Sequence, residues 1–152
     1  MAPDGTGCHL WYRPEMARNL LNTINIDVPA HAAEDTIAFW SAALGADVMR
    51  TKMANYTILD HAAEPNRVVV QTIEDGTASV HFDVHTDDLE AEMRRLVTLG
   101  ASVVDDQWKD HPGRWVVMRD PAGIEFCLVD GTNTLRSQAV VDDFQRRSKS
   151  VG

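Results

Sequence analysis

A repeat constrains this chain more than any other feature. Ile24-Asn25-Ile26-Asp27-Val28 is matched by Val80-His81-Phe82-Asp83-Val84, an offset of 56 positions. Leu44-Gly45-Ala46-Asp47-Val48 is matched by Leu99-Gly100-Ala101-Ser102-Val103 at an offset of 55, and Arg67–Ile73 has its counterpart in Gly123–Val129. One extra residue between Pro29 and Glu34 in the first copy reconciles the two offsets. Such a repeat is a supersecondary unit used twice, so the chain divides into modules spanning Thr23–Asp75 and Thr77–Gly131.

Both copies read alike. Each opens on a strand with strict alternation: Ile24, Ile26, Val28 against Asn25, Asp27, then Val80, Phe82, Val84 against His81, Asp83, His85. A helix follows. In the first copy Ile37, Trp40 and Leu44 fall at helical spacing and Gly45 supplies the stop. In the second, Asp87 with Glu90 resembles a capping box, Leu89, Met93, Leu96 and Val97 form the apolar stripe, and Gly100 ends it. Three further strands complete each unit. In the second copy these are Ser102–Asp105, Trp115–Arg119 and Ile124–Val129, the last two joined by the turn Asp120-Pro121-Ala122-Gly123. The expected fold is α+β, with two tandem βαβββ modules (23–75 and 77–131) forming a cup-shaped mixed sheet over residues 23–131. Residues 1–22 form an N-terminal extension and 132–152 a C-terminal tail, in which Leu135, Ala139, Val140 and Phe144 make one face of a helix over Thr134–Ser148. That helix docks on the sheet or on a second subunit.

Alternation also orients side chains. The apolar members of each opening strand meet the helix stripe, so the polar members face the other side of the sheet. If the two sheets curl together, Asn25, Asp27, His81 and Asp83 line a shared concavity. Repeat symmetry adds Val69, Gln71 and Ile73 with their counterparts Glu125, Cys127 and Val129.

Charge narrows the partners. The 152 residues carry 14 basic and 23 acidic side chains, a formal net charge of −9. That balance repels phosphate backbones and anionic membrane surfaces, so neither nucleic acid nor membrane is an expected partner. Cys8 and Cys127, one in a tail and one in a strand, make no disulfide framework. No segment is apolar for long enough to span a bilayer, and the N-terminus lacks a secretory pattern. These readings point to the cytoplasm.

The motifs then carry a resemblance. Phe39-Trp40 followed by Leu44-Gly45, the strand His81-Phe82-Asp83-Val84, and the hairpin Asp120-Pro121-Ala122-Gly123-Ile124-Glu125-Phe126-Cys127 together resemble the vicinal oxygen chelate superfamily. That superfamily includes glyoxalases, bleomycin-resistance proteins and dioxygenases, and the glyoxalase-like subgroup is the nearest match. The resemblance implies paired βαβββ modules forming a cup, often completed by homodimerisation. In metal-using members one ligand comes from the opening and one from the closing strand of each module. Those four places here hold Asn25, Gln71, His81 and Cys127, a set that suits no single metal well. Glu125, two residues before Cys127, shares its face. A metal, if bound, would use His81, Glu125 and Gln71; the donor types favour no cofactor, with a divalent metal as the alternative.

His81 is the natural proton carrier in such a cup, and Glu125 the natural acid or orienting group. Asn25, Gln71 and Cys127 are ligand contacts. Trp108, His111 and Trp115 cluster around the Lys109–Gly113 loop, where they could stack on a planar ligand. Asp27 and Asp83 hold equivalent places in the two copies, which favours a structural task such as anchoring each helix start. His85, at a strand end, faces solvent or caps. The leading reading is a metal-independent cup that binds or processes a small organic ligand, with lyase or isomerase-type acid–base chemistry. A divalent-metal lyase, isomerase or dioxygenase is the first alternative, and a non-catalytic interaction module the second.

Overall fold

A computed structural model describes residues 16–105, 113–133 and 136–152. The elements are β1 (Arg18–Pro29), a 3-10 turn (Ala30–Ala32), α1 (Ala33–Leu44), β2 (Asp47–Arg50), β3 (Tyr56–Ala63), β4 (Asn66–Ile73), β5 (Ser79–Thr86), α2 (Leu89–Thr98), β6 (Ser102–Val103), β7 (Trp115–Arg119), β8 (Glu125–Asp130), α3 (Gln138–Arg147) and β9 (Lys149–Ser150). The strands form one mixed sheet in the order β2-β3-β4-β1-β5-β8-β7-β6, with β9 beside the start of β1. The fold is α+β, as the repeat requires.

The register displays the repeat directly. β1 pairs in parallel with β4, placing Asp27 opposite Gln71; β5 pairs in parallel with β8, placing Asp83 opposite Cys127. The separations 71 − 27 and 127 − 83 are both 44. The modules join where β1 and β5 run antiparallel, with Asn25 opposite His81. The same pairing sets Thr23 against Asp83 and Asp27 against Ser79, and a rotation that exchanges the modules exchanges these two pairs.

Both helices cover the same face of the sheet. Ile37 and Ala33 of α1 pack on Val28, Leu59, Val68 and Val70, while Leu89 of α2 packs on Val116, Met118 and Leu128. Each module thus has its own core, and each fully buried aliphatic side chain contributes about 1.5–3 kcal/mol. Trp40 lies half-buried at the margin of the first core, edge-to-face with Phe39 at 5.2 Å. Leu44 is exposed, because Gly45 turns left-handed (φ 62°) immediately after it and the stripe ends there. With the helices on one face, the polar members of β1 and β5 are left to line the other.

Several boundaries differ from those read in the sequence, the last strand moving by one residue to Glu125–Asp130. β1 begins at Arg18, five residues before Thr23, because Arg18 and Asn19 pair with Ser150 and Lys149 and the Arg18 N–H donates to Asp87 Oδ1 at 2.7 Å. Asp87 is therefore a clamp for β1, and the cap of α2 is its neighbour Asp88, whose side chain accepts from the Ala91 N–H at 3.0 Å. The strand expected over Ser102–Asp105 shortens to Ser102–Val103. The C-terminal helix starts at Gln138 rather than Thr134, and it docks on the sheet: Phe144 is buried, Arg147 donates to Asn66 Oδ1 at 3.1 Å, and Arg18 donates to Ser148 Oγ at 2.9 Å.

Candidate functional site

The face opposite the helices curves around a cavity of about 900 Å³. Alternation brings Thr23 and Asp27 of β1, His81, Asp83 and His85 of β5, Gln71 of β4, and Glu125, Cys127 and Val129 of β8 to its wall. Cross-strand pairing arranges them in rows. One row runs Arg67, Thr23, Asp83, Cys127, Val117 across five strands, and every member lines the cavity. The next runs His85, Val129, Trp115. A bulge between Leu21 and Thr23 lets Asn22 face the cavity beside Thr23, to whose hydroxyl it donates at 3.0 Å.

His81 sits mid-cavity between two carboxylates. Its Nδ1 bonds to Asp27 Oδ2, and its Nε2 lies 3.4 Å from Asp83 Oδ1. Burial by itself would lower the imidazole pKa, but the hydrogen bonds to Asp27 and Asp83, with Cys127 adding to them, raise it far above its ordinary value. His81 is therefore an imidazolium at neutral pH, a fixed positive charge in the wall. Cys127 stands beside it. Burial raises the thiol pKa more strongly than the His81 charge lowers it, so the sulfur keeps its proton near neutrality.

His85 shares strand and face with His81, yet its state is the reverse. It is 3% exposed, and burial first, then the charge of Arg136, lowers its pKa to about 4. Its Nε2 lies 3.3 Å from Asn22 Nδ2, and its buried Nδ1 has no partner among the described residues. Tyr56 is likewise held neutral: burial, and after it the charge of Asp83, pushes its phenol up to about 12.

The residues singled out in the sequence fall into four groups. His81, Gln71, Trp115, Cys127 and Glu125 all reach the cavity wall. Glu125 is at the rim, its side chain 49% exposed and ion-paired with Arg119 at 2.6 Å, so it does not complete a pair with His81. Asn25 is 0% exposed and off the wall, and both its amide atoms lack partners. Trp108 and His111 lie outside the described residues. Trp115 is seated by Gly113: a Cβ there would come within 2.3 Å of the indole ring, so a side chain at 113 would displace it.

Two readings change. Asp27 and Asp83 do not anchor helix starts; α1 follows the N-cap Ala32, which has no side-chain cap, α2 follows Asp88, and both aspartates turn into the cavity to hold His81. His85 faces neither solvent nor a helix end. Tyr56, Arg67, Arg136 and Asn22 join the wall without having been singled out. Continuing the alternation from His81 through Asp83 to His85 points to His85; nothing local points to Arg136, which arrives from the segment beyond β8.

The metal question can be put to the donor set. Of the trio read from the resemblance, His81, Glu125 and Gln71, all of which line the cavity, His81 also belongs to a converging group of His, Asp and Cys side chains. Among the described residues, His81, Asp83 and Cys127 each offer a ligand atom, all within 4.8 Å of one another. Both ring nitrogens of His81 face carboxylates and burial raises the Cys127 thiol pKa, so a divalent ion held here would have to displace protons from both.

The sequence profile of the glyoxalase-like domain family matches residues 23–129, a span that coincides with the two modules. The chain belongs to this family and, with it, to the vicinal oxygen chelate superfamily. Among curated protein sequences none matches the chain. Solved structures share its fold. Methylmalonyl-CoA epimerase from Mycobacterium tuberculosis is 15% identical, with a TM-score of 0.55 over 76% of this chain and 89% of that one. A protein described as an NAD-dependent benzaldehyde dehydrogenase from Legionella pneumophila is 11% identical, with a TM-score of 0.55 over 74% and 97%. A hypothetical protein from Bacillus halodurans C-125 is 13% identical, with a TM-score of 0.53 over 78% and 99%. At these identities the likeness carries the architecture alone. No helix among the described residues is long and apolar enough to cross a membrane.

Proposed function

We propose that this chain binds a small organic ligand in the cup and that His81 acts on it as a charged hydrogen-bond and proton donor, without a metal. The observation that carries this reading is the placement of one imidazole between Asp27 and Asp83 at the centre of a cavity of about 900 Å³. Cavities of this size, mostly apolar with a few convergent polar groups, suit small ligands. Asp27 holds His81 at Nδ1, and the Nε2–H, which meets Asp83 only at 3.4 Å, is the donor left for a developing negative charge on a carbonyl or hydroxyl oxygen. The reaction class it serves is a lyase or isomerase step in which that oxygen is stabilised or protonated. Trp115 gives a flat wall for a planar part of the ligand.

The reading is tested by screening metabolites for thermal stabilisation and then measuring affinity in His81→Gln and Asp27→Asn. Both substitutions are expected to weaken binding by about tenfold or more, since each removes a charge-assisted hydrogen bond or its support. A ligand that stabilises the chain but binds both variants as it binds the parent would place the site elsewhere.

The convergence of His81, Asp83 and Cys127 within 4.8 Å motivates the second reading, a soft divalent metal such as zinc that takes the place of their protons. Elemental analysis decides between the two: the metal-free reading expects well under one equivalent per chain, and a stoichiometric metal lost in Cys127→Ser would overturn it. A homodimer is a further part of this proposal. The described wall comes from one chain, so dimerisation would cover the exposed Phe39, Val80 and Phe82. A solution mass of 16.9 kDa at micromolar concentration would refute it.

A further inference from the structure

One end of the cavity carries more positive charge than its surroundings explain. Arg67, at the start of β4, and Arg136, beyond β8, both line the wall near His85. Among the described residues neither guanidinium forms an ion pair. Arg136 donates from Nε to the Asp130 carbonyl at 3.0 Å, which fixes the guanidinium, and burial opposes its charge more than Asp83 and Asp130 favour it. The nearby carboxylates have other partners: Asp83 faces His81 at 3.4 Å, and Asp130 accepts from the Thr132 N–H at 3.0 Å and lies 3.7 Å from Arg114. Arg67 is close enough to Arg136 to disfavour its charge, and both act on the same two neutral groups, Tyr56 and His85.

His85 adds an independent sign of a ligand. Asn22 Nδ2 donates toward its Nε2 at 3.3 Å, so Nε2 accepts and the proton belongs on Nδ1. Among the described residues that Nδ1–H has no acceptor, on a side chain only 3% exposed. Buried donors are rarely left unpaired, and two guanidiniums share one cavity with few neighbours able to accept from them. Beside Asp83, which is drawn to His81, the wall here holds two guanidiniums and the neutral Tyr56 and His85, in a chain whose formal net charge is −9.

We infer that the His85 end of the cup is a subsite for the anionic group of the ligand, a carboxylate or a phosphate, gripped by Arg67 and Arg136. This rests on the reading of the cup as the ligand site and sharpens it. The ligand is then a small organic anion lying along the cavity, its charged group at the arginines and an oxygen acceptor toward the His81 imidazolium. The reverse orientation would set the anion against Asp27. Guanidinium favours these anions because its planar donors match two oxygens at once.

The test uses the full chain and three probes: succinate, its neutral diamide succinamide, and inorganic phosphate. Binding is followed by calorimetry and by the Nε–H resonances of the arginines. Succinate or phosphate should move the Arg67 and Arg136 signals, and succinamide should not. Whichever anion binds identifies the group, carboxylate or phosphate. Arg67→Gln should weaken that anion by about tenfold, whereas Arg94→Gln, which removes the same charge from the exposed side of α2, should leave it unchanged. Arg67 has no hydrogen bond to lose, so its variant should fold as the parent does, and Arg136→Lys gives a second reading of the site. The proton-donor reading is tested in His81→Gln and this one in Arg67→Gln, so failure of the two appears in different variants. If neither anion perturbs the arginines at concentrations on the order of ten millimolar, or if Arg67→Gln binds as the parent does, the subsite does not exist.

Discussion

His81 and His85 stand on the same face of the same strand, and the fold gives them opposite charge. His81 lies between Asp27 and Asp83 and is held protonated; His85 lies against Asn22 and near Arg136 and is held neutral, its pKa lowered to about 4. Both are largely buried, so burial does not distinguish them. The neighbours do: two carboxylates outweigh desolvation at His81, and a guanidinium adds to it at His85. One strand thereby supplies a proton donor in mid-cavity and a neutral N–H at the end, an asymmetry that would orient a ligand along the cup.

The largest expected effect comes from breaking the first environment. Asp27→Ala leaves the His81 imidazolium with Asp83 alone, and removing one partner of a buried pair typically costs about 3–5 kcal/mol. Urea unfolding at pH 6 should show a loss of that order, and the His81 ring should then titrate closer to its ordinary value by NMR. The sign follows from the raised pKa. Protonated His81 contributes its full stability below the unfolded pKa of about 6.5, and the contribution falls away as the pH climbs toward the folded value. An unchanged His81 titration in Asp27→Ala would show that Asp83 suffices.

The second effect has the opposite pH sense. His85 has a folded pKa of about 4, below its unfolded value, so the unfolded chain binds more protons as the pH falls. Its contribution is complete above about pH 6.5 and is lost between there and pH 4, a difference of roughly 3 kcal/mol on full protonation. Stability should therefore decline over this window in the parent and decline less in His85→Asn. Parallel profiles for the two chains would mean that His85 is not the buried neutral group described here.

How much of this was legible in the sequence depends on how far apart the partners lie. The two modules, the pairing of Asn25 with His81 and the turn of both aspartates to one face follow from an offset and an alternation, both short-range properties. The role of Asp27 was not legible, because an acidic residue just ahead of a helix looks the same whether it caps that helix or reaches an imidazole 54 residues away. His85 was on the legible face, but its burial depends on α3: a Cβ added at Gly131 would lie 3.0 Å from Phe144 and 3.1 Å from His85 Cβ, so the helix packs directly behind it. Arg136 reaches the site only because the segment after β8 folds back, which no local pattern announces.

A smaller effect tests the flat wall in the row of His85. Gly113→Ala places a methyl carbon within 2.3 Å of the Trp115 ring, which must move. Forcing an extra methyl into a packed contact costs about 1–3 kcal/mol. Ligand affinity should fall alongside stability, and Trp115 fluorescence should report the displacement. Retained affinity with a displaced ring would remove Trp115 from the ligand's contacts.

The smallest effect concerns Glu125, which the residue types alone made the partner of His81. At the rim its carboxylate meets Arg119 at 2.6 Å, with both side chains 49% exposed. Exposed pairs contribute about 0–1 kcal/mol because solvent screens them and ordering two long side chains opposes them. Glu125→Gln should shift unfolding by less than about 0.5 kcal/mol and change ligand affinity by less than about threefold. Asp83→Asn should do more on both measures, because Asp83 faces His81 from within the cavity wall. If Glu125→Gln proves the more damaging of the two, Arg119 must release Glu125 when ligand binds, and the acid–base pair would be His81 with Glu125 after all.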